Sequence, residues 1–189
     1  MIDFLTHYYR KNTIPFQTLS ALPESEAIRK MEELYVDNAI WGRFKNPEWY
    51  IRERKEIEAW LRKEFIAKGG IPEENHPIYM VLGKCEELEE IMEEERLAKI
   101  VIPISDFREG DLSFTYIDSM LSYRLGRDKT PEYYQPEYHG IVFTLSEIHS
   151  IIKERGLPRK GWWGNLPDDF IPYIEVQVWN HQILKRYLE

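Results

Sequence analysis

Residues 46–70 constrain the fold most. Asn46 is a capping residue, and Pro47 suits a first helical position, where its missing N–H is not needed. Tyr50, Ile57, Trp60, Leu61 and Phe65 then share one face, and Arg52, Glu53, Lys55, Glu56, Arg62 and Lys63 cover the rest. Gly69-Gly70, followed by Pro72, ends the helix with a left-handed stop. A helix with one apolar stripe needs a layer to lie against. A shorter stripe precedes it: Pro23 opens a helix with Ala27, Ile28, Met31, Leu34 and Tyr35 along one side.

The chain changes character after residue 77. Ile78–Leu82 is a short apolar run between Pro77 and Gly83, as a buried strand requires. Ile100–Ile104 is a second such run, and Ile141–Phe143 a third. Thr144 and Glu147 make a capping box into a helix with Ile148, Ile151 and Ile152 inward, stopped by Gly156 and Pro158. In 171–179, Ile174, Val176 and Val178 alternate with Tyr173, Glu175, Gln177 and Trp179, which predicts a strand with one core face. Residues 1–19 read as an irregular or short-strand opening, 127–139 and 157–170 as long loops, and the last residues as a short helix or tail. The order of elements predicts an α+β fold. N-terminal helices, roughly 20–70, pack on a small mixed or antiparallel sheet, roughly 77–180, in one compact domain. Neither part alone carries enough apolar surface to stand by itself.

The net charge of −8 is concentrated. Seven glutamates between Glu86 and Glu95 supply most of it, and the remainder of the chain is near neutral. Leu88, Ile91 and Met92 put one apolar stripe on this acidic segment, which reads as a solvated helix face or as a docking surface for a basic partner. No polybasic patch suggests non-specific nucleic-acid binding, and no apolar run reaches the ~20 residues a membrane span needs. One cysteine, Cys85, and no leader-like N-terminus suggest a cytoplasmic protein.

Candidate chemistry is sparse. The five histidines form no metal-ligand spacing, so no metal is expected. No nucleophile elbow or phosphate-binding glycine loop is present. Ile100–Gly126 is the densest stretch: Ser113, Thr115, Tyr116, Asp118 and Ser119 crowd between two apolar runs, where they make either a site or a capped turn. Asp118 can cap a short helix ending at Gly126. Trp162-Trp163 lies in a loop that could stack on a ring or fold down as a lid. Glu175 and Gln177 form either ordinary solvent-facing polars or an acid/base and orienting pair lining a cleft.

Three segments together resemble parts of the ADP-ribosyltransferase-like fold of the DarT toxin type: Phe114–Gly126, Tyr138–Pro158, and the late strand with Glu175. The resemblance covers about the C-terminal half. It implies binding of NAD and transfer of ADP-ribose, with Glu175 polarising the acceptor or a ribose hydroxyl, and it sets Thr6-His7 where the family makes an early dinucleotide contact. Arg10 or Arg43 would fill its second conserved role.

Two functions follow as expectations. One is a small enzyme acting on a nucleotide-like ligand, with Glu175 and Tyr116 catalytic and converging on one pocket, and Asp118, Ser119, His7 and Trp163 binding substrate. The other is a non-catalytic protein-interaction module, docking through the acidic helix and the aromatic loop.

Overall fold

A computed structural model describes residues 2–36, 40–159 and 171–188. Five antiparallel strands form one sheet in the order β3-β1-β2-β5-β4: β1 Phe4–Arg10, β2 Ile78–Leu82, β3 Leu97–Pro103, β4 Leu112–Tyr116 and β5 Ile174–Val178. The helices are α1 Glu24–Leu34, α2 Pro47–Ala67, α3 Glu86–Glu90, α4 Ser119–Asp128 and α5 Leu145–Arg155. This is an α+β fold, as the order of apolar patterns predicts.

The capping signals act where the sequence puts them. The Asn46 side chain accepts the Trp49 N–H at 3.3 Å, and Gly69 takes φ 88° after α2. The Thr144–Glu147 capping box forms in both directions at the start of α5.

Several expectations are corrected. Of the two readings of the opening residues, 4–10 take the strand, and β1 is interior, between β3 and β2. The acidic helix is one short turn system, α3, before Arg96 (φ 52°) turns the chain into β3. β3 is an edge strand rather than a buried one, and Val101 is 48% exposed. α4 does not stop at Gly126 but runs to Asp128 and is capped by left-handed Lys129. Gly126 instead permits a close approach: a Cβ there would lie 2.5 Å from the Gly140 Cα. Ile141–Phe143 contributes one bridge, from Phe143 to Phe114, rather than a strand.

The register sorts side chains onto two faces, because directly paired residues point the same way and neighbours in sequence point opposite ways. Leu5, Met80, Leu82, Phe114, Val176 and Val178 form the apolar face, covered by Ile148 and its neighbours on α5. The other face carries the rows Thr6–Val81–Glu175–Thr115 and Tyr79–Gln177–Ser113. α2 lies on that face, where Ile57, Leu61 and Phe65 pack with Trp179. Every residue of β4 and β5 is therefore buried, including the four polar ones Ser113, Thr115, Glu175 and Gln177.

A candidate active site between sheet and helices

On the polar face, beyond the Trp179 cluster, the helices stand off from the sheet. A cavity of about 590 Å³ opens there, within the range that holds small ligands. Its floor includes Thr6, Tyr79, Val81 and Glu175; Tyr50 and Arg54 of α2 and the start of α4 form its walls.

Glu175 arrives by strand alternation, and α4 is aimed at it. Ile117, between β4 and α4, has φ 79°, a left-handed conformation that a β-branched residue rarely adopts and that costs on the order of 1–3 kcal/mol. After this turn the Asp118 side chain caps α4 by accepting the Leu121 N–H at 3.0 Å. The Ser119 N–H then donates to Glu175 Oε1 at 3.2 Å, and Gln177 Nε2 donates to the same oxygen at 3.1 Å. Gln177 is itself locked: its Oε1 accepts from Ser113 Oγ at 2.8 Å, and Ser113 Oγ accepts from Trp179 Nε1 at 2.9 Å.

Arg54 sits one turn after Tyr50 on the inner stripe of α2, which brings it to the cavity. Its Nη1 donates to Ser119 Oγ at 3.0 Å and its Nη2 to the Tyr50 hydroxyl at 3.2 Å, while the guanidinium lies 4.6 Å from the Tyr79 ring centre. Burial works against its charge, and the surrounding Tyr50, Tyr79, Glu175 and Glu58 outweigh that cost, so it stays a cation. One turn further, Glu58 accepts from Ser20 Oγ at 2.8 Å and from the Tyr79 hydroxyl at 2.9 Å, and its other oxygen is 2.6 Å from His76 Nδ1.

Glu175 itself is pushed above the ordinary carboxylate range. Burial is the main cause; Arg54 opposes it, and Asp118 adds to the rise. A carboxyl whose proton is held more tightly in this way is a candidate for acid/base work. Tyr8, Tyr50, Tyr79 and Tyr173 supply ring faces beside it, and Arg43 and Arg124 lie at the cavity with Trp41 and Trp49. Rings, a guanidinium and a proton-exchanging carboxyl together can hold a flat, anion-bearing molecule and act on it.

Of the expected site residues, Glu175, Asp118 and Ser119 come together here. Tyr116 does not. It pairs with Ile174 and so points to the opposite face from Glu175, where its hydroxyl donates to the Gly156 carbonyl at 3.0 Å. The expected convergence of Tyr116 and Glu175 is corrected by this alternation. His7 also lies on the apolar face, next but one to Leu5 along β1. Its Nδ1 lies 3.0 Å from the Tyr79 carbonyl, its Nε2 accepts the Phe16 N–H at 3.1 Å, and burial lowers it to about 4. Trp163 lies outside the described residues. Arg43 is at the cavity, whereas Arg10 packs its guanidinium 5.7 Å from the Trp41 ring centre.

Arg54 and Glu58 were not anticipated. Their signal is positional: 54 and 58 fall on the same stripe as Tyr50, Ile57 and Leu61, so two charges four residues apart face the interior of an amphipathic helix.

Part of the acidic segment is answered from within the chain. Glu89 accepts from Lys99 Nζ and from the Tyr8 hydroxyl, and Glu93 accepts from Lys11 Nζ. Burial pushes the Cys85 thiol up to about 12, away from nucleophilic use. Among the described residues no group of three or more His, Cys, Asp and Glu could hold a metal ion, and no helix is long and apolar enough to cross a membrane. Comparisons with protein-family models, with curated proteins and with solved structures found no significant match.

Proposed function

We propose that the protein is a small enzyme that binds a nucleotide-like ligand in the cavity, with Glu175 exchanging a proton with it. The observation that carries this reading is the environment of Glu175. It is a buried carboxyl, pushed up by burial, fixed by two hydrogen bonds on Oε1 and set on the floor of a ligand-sized cavity. The tyrosines and Arg54 suit a ring with an attached anionic group. The resemblance of the C-terminal half to ADP-ribosyltransferase-like proteins makes NAD the first substrate to try. In that reaction the bond between ribose C1′ and nicotinamide breaks, a bond from C1′ to the acceptor forms, and nicotinamide leaves neutral. The acceptor's proton passes to a base, the role given to Glu175. Tyr116 and His7 have no part in this reading, and a cytoplasmic setting belongs to it.

Thermal unfolding against a panel of nucleotides tests binding, and nicotinamide release tests turnover. NAD raises the unfolding midpoint of the wild type. Glu175→Gln keeps the fold and lowers turnover by about 100-fold or more, as loss of a general acid/base does. Absence of any nucleotide-dependent shift, or full activity in Glu175→Gln, rules the reading out.

A further inference from the structure

Tyr8, Tyr50, Tyr79 and Tyr173 line the cavity. The first three engage their hydroxyls within the protein. Tyr8 donates to Glu89 Oε1 at 2.8 Å, Tyr79 donates to Glu58 Oε1 at 2.9 Å, and the Tyr50 oxygen accepts from Arg54 Nη2 at 3.2 Å. The Tyr173 hydroxyl has no hydrogen bond among the described residues, and its oxygen is not shut away from solvent.

Glu175 repeats this pattern two residues on. The Ser119 N–H and Gln177 Nε2 both bond to its Oε1, and Oε2 has no hydrogen bond among the described residues. β5 begins at Ile174, so Tyr173 extends it by one residue. Residues two apart on an extended chain share a face and lie about 7 Å from each other. A free phenol and a free carboxylate oxygen therefore stand side by side at the cavity. Polar groups of an enclosed site that bond to nothing in the protein are the ones a ligand can use. Burial, with Glu175 and Asp118 nearby, holds the Tyr173 phenol well above its ordinary range against the pull of Arg43 and Arg54, so it keeps its proton and can donate. A donor beside an acceptor fits neighbouring ligand atoms of which one accepts and the other donates. A phosphate only accepts; adjacent sugar hydroxyls do both.

We propose that Tyr173 and Glu175 form a sugar-recognition subsite of the cavity: the Tyr173 hydroxyl donates to one hydroxyl oxygen of the ligand, and Glu175 Oε2 accepts from the hydroxyl next to it. This rests on the ligand being nucleotide-like, and it names the sugar as the part read by these two residues. Oε2 has two lone pairs, so it can hold a sugar hydroxyl and still take a proton from an acceptor.

The test compares the full wild-type chain with Tyr173→Phe. Binding of NAD, ribose 5-phosphate and inorganic phosphate is read by ligand-observed NMR titration, and stability by denaturant unfolding. Because the hydroxyl bonds to nothing in the protein, Tyr173→Phe unfolds at the wild-type midpoint or above it. A lower midpoint shows that the hydroxyl serves the fold, and overturns the proposal. NAD and ribose 5-phosphate bind Tyr173→Phe about 10-fold more weakly, the loss of one hydrogen bond. Equal affinity overturns it, and so does an equal weakening of inorganic phosphate, which would make Tyr173 an anion donor. Ribose 5-phosphate binding that depends on Tyr173, without NAD binding, keeps this proposal and removes the nucleotide reading. NAD binding indifferent to Tyr173 does the reverse, and absence of binding by both sugar probes overturns the two together.

Discussion

The two faces of the sheet use the same strand alternation for opposite ends. On one, Leu5, Met80, Phe114 and Val176 belong to a single apolar core, with Ile148 of α5 packed in it. On the other, Ser113, Thr115, Glu175 and Gln177 are equally buried but bonded to one another, to Trp179 and to the start of α4. The apolar face is held by area and shape and tolerates no charge. The polar face is held by satisfied hydrogen bonds and one shared cation, and it leaves space where α2 stands away from β1 and β2. The cavity that holds Glu175 opens on the second face, where strand alternation puts a carboxyl, an amide and two hydroxyls side by side.

Substitutions at the centre of each face probe this contrast most strongly. Phe114→Ala opens a void in the core and costs about 3–5 kcal/mol of unfolding free energy. Arg54→Ala strands Glu58 beside Glu175 and costs a similar amount, about 3–5 kcal/mol, although it removes no core packing on the α5 side. Denaturant unfolding of the pair measures both. A loss under about 1 kcal/mol for Arg54→Ala, the level of a surface pair, would mean that the polar face is not held by its cation.

pH separates the faces next. His7, on the apolar face, titrates at about 4 when folded, against about 6.5 in an unfolded chain. The folded state thus binds its proton less readily. The stability His7 permits is whole above pH 6.5 and falls as pH drops toward 4, by up to roughly 3 kcal/mol. The difference in stability between wild type and His7→Asn, followed from pH 7 to pH 4, isolates this loss. A flat difference would show that a charged imidazole is tolerated on that face.

Gln177→Leu is a smaller perturbation. It conserves bulk but leaves Ser113, Thr115 and Glu175 short of partners, for about 1–3 kcal/mol. It also frees Glu175 from one donor, so the Glu175 titration midpoint rises. Least of all, Lys11→Ala at the rim removes an exposed pair with Glu93 and changes stability by roughly 0–1 kcal/mol, shrinking further in salt.

Much of the scaffold was legible as local chemistry. Asn46-Pro47, the Thr144–Glu147 box, Gly69 and Gly156 mark their termini because capping depends on neighbours in sequence. Ile78–Leu82 reads as a strand because its turn residues are adjacent. β1 stayed open between an irregular and a short-strand reading because a central strand rich in His, Tyr and Thr lacks the apolar pattern, and its two flanking strands settle it. Gly126 was taken for a stop because its real constraint, the backbone of Gly140, is distant in sequence.

The site divides along the same line. By itself the sequence determines that Glu175 and Gln177 share a face, that Asp118 caps a helix, and that Arg54 and Glu58 lie on the inner stripe of α2, since all of these follow from helical and strand periods. The tertiary structure alone decides that these pieces meet. Pairing of β4 with β5 sends Tyr116 away from Glu175, the strained turn at Ile117 aims Ser119 toward it, and α2 crosses that face and not the other. Each depends on which surfaces pack across the sheet, a matter of long-range burial that no local period encodes.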